Sequence, residues 1–261
     1  MHTGVGIAAT APGQSLCYRG LTVLALGVLL ALCASSKAQE QPGAKPATET
    51  PAATVSEAQV AAELESLGAI VKTEGDNPAG PVVEVTFPYQ HIPPYYYMNE
   101  KLLVRLKVLT QLKHLDLSGC AGMTDAMMKN LKGMAQLRYL SLGGHRVSDV
   151  GITELAGLTE LRWLSLSATL VTDAGMVNLE GMTHLQNLFL CDIKVGDAGM
   201  VHIKGLTALK LVNVWGSHVT DAGLENFQGL SNLRFLRTGV KATDQGRKKL
   251  QEVLPKCAIV S

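Results

Sequence analysis

A period of 24 residues constrains this chain more than any other feature. Leu112, Leu137, Leu161, Leu185, Leu209 and Leu233 each open a similar segment, at spacings of 25, 24, 24, 24 and 24. Self-similarity at such a period marks a stack of supersecondary units, each too small to bury an apolar face alone. The openings from Leu112 to Leu209 read L-x-x-L-x-L or its aliphatic equivalent, as in Leu137/Leu140/Leu142 and Leu209/Val212/Val214. The closing pair, two residues apart, predicts a short strand with one buried face.

A second shared block follows each strand after a turn, and it reads as a helix start. Val-Thr-Asp-Ala-Gly occurs at 171–175 and again at 219–223, with variants elsewhere. Thr124, Ser148, Thr172, Thr220 and Thr243 take the N-cap position, where a hydroxyl can accept from orphan backbone N–H groups. Asp125, Asp149, Asp173, Asp197, Asp221 and Asp244 then lie in the first turn, on the side the helix dipole favours for an anion. Capping accounts for this whole aspartate column without a metal. Gly133, Gly157, Gly181, Gly205 and Gly229 are expected as left-handed helix stops. Gly151, Gly175, Gly199 and Gly223 are expected to let neighbouring helices approach.

Together these blocks resemble the leucine-rich repeat family, in particular the short bacterial repeats related to its cysteine-containing class. Leu117-Ser118-Gly119-Cys120 followed by Met123-Thr124-Asp125, one residue longer than its neighbours, is similar to the cysteine-containing form. The resemblance covers about residues 82–261 and implies an α/β fold. That fold is a right-handed horseshoe solenoid with a parallel sheet on the concave face and short helices on the convex face. It further implies that the chain holds another macromolecule. A substrate-receptor adaptor, as in the F-box members, is a distant alternative.

The organisation expected is a signal peptide at 1–38, a disordered Pro/Ala/Thr-rich spacer at 39–54, an N-terminal cap at 55–81, repeats at 82–232, and the last repeat with a C-terminal cap at 233–261. Arg19 precedes the apolar run Leu21–Ala34, and Ser36-Lys37-Ala38 places small residues before a cleavage site. That run is 14 residues, short of a bilayer span of about 20. An uncleaved anchor and a lipid anchor through Cys33 are the alternatives to a secreted, periplasmic or envelope protein. In the N-terminal cap, Ser56 and Gln59 form a capping box for a helix that Gly68 stops. Cys257 to Val260 reads as a closing strand.

Charge is balanced over the chain, with 23 Lys+Arg against 22 Asp+Glu, so no global field gathers nucleic acid. Five cysteines are too few for a disulfide scaffold. No phosphate-binding loop, H-E-x-x-H or paired C-x-x-C occurs, and the histidines fall at different phases of the repeat. A non-enzyme without cofactor or metal is expected.

Residues between the repeat leucines point away from the core, and there the chain concentrates its few aromatics. His114, Tyr139, Trp163, Asn187, Leu211 and Phe235 form one column, with Phe189 and Trp215 in the next two. At about 4.8 Å per strand the column makes a ridge of roughly 24 Å. Beside it run Lys113, Arg138, Arg162, Gln186, Lys210 and Arg234. Aromatics flanked by arginine are typical of protein interfaces. The candidate contact residues are therefore Tyr139, Trp163, Phe189, Trp215, Phe235, Arg138, Arg162 and Arg234. A glycan ligand is a second possibility, and rings that merely cover one another a third. A Pro/Tyr insertion between Phe87 and Asn99 holds Tyr95, Tyr96 and Tyr97, either as a secondary contact loop or as part of the cap.

Overall fold

The computed structural model describes residues 55–88 and 96–261, of Tyr96 only the backbone. The leader and spacer expected at 1–54, together with Tyr95, lie outside them. Helix α1 (Glu57–Ser66) opens the fold with the Ser56/Gln59 capping box in place, and Gly68 at φ 82° ends it. Strand β1 (Ile70–Thr73) turns back on β2 (Val82–Thr86) in antiparallel register. Residues Tyr96–Tyr97 (β3) pair with Cys120–Ala121 (β5), so the one-residue expansion of the cysteine-containing turn holds the backbone of these two tyrosines. Helix α2 (Glu100–Leu106), capped by Asn99, completes the first repeat.

One strand per repeat then follows: β4 (His114–Asp116), β6 (Tyr139–Ser141), β7 (Trp163–Ser165), β8 (Asn187–Phe189), β9 (Leu211–Asn213), β10 (Phe235–Arg237) and the closing β11 (Ala258–Val260). The sheet runs β1-β2-β4-β6-β7-β8-β9-β10-β11, parallel throughout except at β1. From β4 to β10 the central residue of each repeat strand faces the helices and is wholly buried: Leu115, Leu140, Leu164, Leu188, Val212 and Leu236. In four repeats the helical half opens with a single α-turn: α3 (Asp125–Met128), α4 (Asp149–Ile152), α5 (Asp197–Met200) and α6 (Asp221–Leu224). After α4, α5 and α6 the chain tightens into a 3-10 turn, and residues Asp173–Leu179 are 3-10 throughout. The longer α7 (Asp244–Val253) leads into β11.

The aspartate column does more than favour a dipole. Asp149 Oδ1 and Oδ2 accept from the backbone N–H and hydroxyl of Thr172, in the next repeat, at 2.7 and 2.6 Å. Asp125 holds Ser148, Asp197 holds Thr220 and Asp221 holds Thr243 in the same two-pronged way. Where the N-cap is Gly196 and lacks a hydroxyl, Asp173 takes the N–H groups of Gly196 and Gly199 instead. Each carboxylate thus binds one repeat's helix start to the next and satisfies orphan N–H groups there. The hydroxyl cap itself forms at Ser148, Thr220 and Thr243 but not at Thr124 or Thr172.

The helix glycines do let neighbouring helices approach, at a specific group, whereas the expected left-handed stops need correction. A methyl group placed on Gly175 would collide with Asp149 Oδ1, and Gly151, Gly199, Gly223 and Gly246 meet the preceding aspartate in the same way. The helix glycines therefore make room for a carboxylate rather than for a bare helix face. Of the expected left-handed stops only Gly133 has positive φ, at 87°. The left-handed column lies instead in the turn after the strand, at Gly144, Ala168, Asp192 and Gly216. There the chain reverses out of the sheet, while the short helices end in right-handed backbone that needs no glycine.

Candidate functional site

The exposed face of the sheet carries residues at alternate strand positions, and strand register places them in columns. His114, Tyr139, Trp163, Asn187, Leu211 and Phe235 are direct neighbours across the ladder, as are Asp116, Ser141, Ser165, Phe189, Asn213 and Arg237. Within the first column the rings stack on one another. His114 lies on Tyr139 at 3.8 Å between centroids, and Tyr139 on Trp163 at 4.0 Å, both pairs within 11° of parallel. Asn187 ends that column's aromatic run, and the ladder steps sideways to Phe189, 5.0 Å from Trp163 and tilted by 38°. All four rings are half-buried.

Such pairs contribute about 0.5–1.5 kcal/mol each beyond the area they bury. The ladder is accordingly part of the sheet's stability as well as its surface. Because Tyr139 and Trp163 have neighbours on both faces, they offer ring edges to solvent. Trp215, in the third column, is covered by Arg237 at 5.4 Å, a cation–π contact. That pairing lies outside the arginine column at the strand entry and was not among the expected contacts. A signal was present: Arg237 is two residues beyond Phe235 and therefore on the same face.

The strand-entry cations divide into two groups. Arg234 turns back onto the carbonyls of Ser231 and Leu233, and Lys113 pairs with Glu74 at 2.9 Å. Lys210 donates to the Gln186 side chain at 3.0 Å. Arg138 and Arg162 are exposed, and neither guanidinium is held by another described residue. Phe235 is exposed at the C-terminal end of its column, away from the ring ladder. Tyr97 is 73% exposed.

Protonation follows burial. Desolvation raises the Tyr139 phenol well above its ordinary value, assisted by the neighbouring Asp116 carboxylate. It lowers His114, against the opposing pull of Glu84 and Asp116, so the ring at the head of the ladder is held towards its neutral form. His145, buried in the turn with Nε2 2.7 Å from the Leu117 carbonyl, is lowered for the same reason. The Cys120 thiol is pushed up strongly and Cys257 to about 11, both chiefly by burial, which suits packing rather than nucleophilic chemistry.

Among the described residues no group of three or more His, Cys, Asp or Glu is placed to hold a metal ion. Two hollows of about 110 and 210 Å³ are lined by helix and loop residues such as Asp221 and Lys249, or Lys107 and Met134. Both are small beside the roughly 300–1,000 Å³ of a small-molecule site. The concave face is a broad surface.

No family model matches the chain, and no curated protein does. Among solved structures it is similar to internalin C2 from Listeria monocytogenes, at 19% identity and a TM-score of 0.50, covering 79% of this chain and 86% of that one. With its parallel ladder, 24-residue period and leucine core, the chain has the fold of the leucine-rich repeat proteins.

Proposed function

We propose that this chain is a non-catalytic binding module that engages a protein partner through its concave face. Tyr139, Trp163, Phe189, Trp215 and Phe235 supply the contact area, with Arg138, Arg162 and Arg234 at the rim. The ordered aromatic ladder carries this reading: half-buried rings fixed by their neighbours present contact area with little further entropy to lose on binding. Tyr95, Tyr96 and Tyr97 are read as a secondary contact loop. The fold supports a role in protein interaction.

Residues 1–38 are read as a cleaved export leader and 39–54 as a spacer, followed by a cap at 55–81, repeats at 82–232 and the closing repeat and cap at 233–261. The mature protein then acts outside the cytoplasm. No helix of the described residues is long and apolar enough to cross a membrane. Intact mass of exported protein tests the cleavage, a species beginning at Gln39 supporting it and a retained Leu21–Ala34 segment contradicting it.

A second reading is favoured by the ring-on-ring geometry: the ladder as structural cover in an envelope component. One comparison separates the two. With a partner isolated on the full chain, Trp163→Ala should weaken binding by about thirtyfold if it is an interface anchor. Val150→Ala, 70% exposed at the start of α4, should leave binding unchanged. Normal binding by a Trp163→Ala protein that melts early would assign the ladder to structure alone.

A further inference from the structure

The strand and strand-entry segments of the five central repeats, residues 138–143, 162–167, 186–191, 210–215 and 234–239, contain Arg138, Arg162, Lys210, Arg234 and Arg237 and no carboxylate. Residues 55–261 as a whole hold twenty basic and twenty acidic side chains, so the acids outnumber the bases elsewhere, and five of those acids are engaged in the inter-repeat clamps. The fold has therefore sorted its charge. Asp116 and Glu84 stand at the N-terminal end of the sheet face, whereas from β6 to β10 the strands and their entry rim carry cations and no carboxylate. Arg138 and Arg162 stand at adjacent strand entries, next to Tyr139 and Trp163, with no described side chain satisfying either.

We infer that the partner segment seated on this face is acidic: an extended stretch of polypeptide crossing β6 to β10, with carboxylates at Arg138 and Arg162 and apolar or aromatic side chains against the ladder. This rests on the binding role proposed above and names the chemistry of the partner. Ring geometry favours polypeptide over the other polyanions. Bases and sugar rings bind aromatic residues face on, but both faces of Tyr139 are taken by His114 and Trp163, and Trp163 is flanked by Tyr139 and Phe189. Outward ring edges carry the positive side of the aromatic quadrupole, which suits carboxylate and carbonyl oxygens. Unpaired guanidinium groups take carboxylates in two-pronged geometry.

The test uses the full chain and three labelled twelve-residue peptides of identical aromatic content, whose remaining positions are all glutamate, all glutamine or all lysine. Fluorescence anisotropy is measured at low and high salt, beside oligo-dT and a heparin oligosaccharide. The glutamate peptide should bind about tenfold or more tightly than the glutamine one, weaken with salt, and lose at least tenfold on Arg138→Glu/Arg162→Glu. Both sites are exposed, so an unchanged melting temperature will show that the variant folds. Equal binding of the glutamine and glutamate peptides, each lost on Trp163→Ala, would overturn the inference and leave the concave-face reading intact. Tighter binding of oligo-dT or heparin than of the glutamate peptide, with the same arginine dependence, would assign the face to a different polyanion and overturn it. Peptide binding indifferent to both the arginine and the tryptophan substitutions would overturn the inference and the underlying reading together.

Discussion

Replacing Asp149 by alanine removes two hydrogen bonds to Thr172 at once and strands the Thr172 N–H at a part-buried helix start. Charge-assisted bonds of this kind contribute about 1.5–3 kcal/mol each, and two sharing one carboxylate with partial solvent access should together cost about 2–3 kcal/mol. For a fold of this size that corresponds to a fall of roughly 5–10 °C in Tm. Gly175→Ala pushes a methyl group into the same carboxylate and against Ile152. The gain in helix propensity is about 1 kcal/mol and the overpacking about 1–3 kcal/mol, so the single change should destabilise by about 1 kcal/mol. In the double variant the methyl group occupies space the carboxylate has left. Its loss should therefore be smaller than the sum of the singles by about 1 kcal/mol, read from urea unfolding of all four proteins. Additivity within about 0.5 kcal/mol, or a Gly175→Ala protein more stable than the parent, would refute the clamp.

Trp163→Ala breaks contacts on both sides of the ladder and should cost about 1–3 kcal/mol, with Tyr139→Ala less than additive to it in the same unfolding assay. Leu164→Ala, in the core beneath, should cost about 2–5 kcal/mol through the cavity it leaves, with a melt no lower than that of Trp163→Ala contradicting the assignment of core and face. His145 and His114 are depressed in the fold, so the unfolded chain binds more protons as pH falls. Their contribution is complete above the ordinary imidazole value of about 6.5 and is lost as pH falls below it, and His145→Gln should flatten the decline in Tm on that acid side. Ala168 sits at φ 56°, and Ala168→Gly should raise stability by up to about 1 kcal/mol, a lowered Tm counting against strain at that turn.

The leucine period was enough to read the solenoid, because burial repeats with the chain and each strand's partner lies one period away. The α1 capping box and the closing strand β11 were legible for the same local reasons. Contacts between repeats were not. Asp149 reads locally as a first-turn anion, and nothing within its own segment points to Thr172, 23 residues on. The glycines at 151, 175, 199 and 223 likewise derive their meaning from a carboxylate in the preceding repeat. The antiparallel direction of β1 follows from a turn at 74–81 that lies outside the period. In the candidate site, the columns follow from alternation along a strand. The sidestep from Trp163 to Phe189 and the Arg237–Trp215 pair depend on where side chains settle across the face, which alternation does not determine.

Both tryptophans of the chain, Trp163 and Trp215, stand on the concave face. Intrinsic fluorescence is therefore a direct reporter of whether that face is the contact surface. The decisive measurement is acrylamide quenching of the full chain, free and saturated with its isolated protein partner or the glutamate peptide. Partner seating on β6 to β10 predicts a clear drop in the quenching constant and a blue-shifted emission as water leaves the ladder, with Val150→Ala behaving as the parent. Full complex formation with unchanged quenching and emission would place the partner elsewhere and contradict the account.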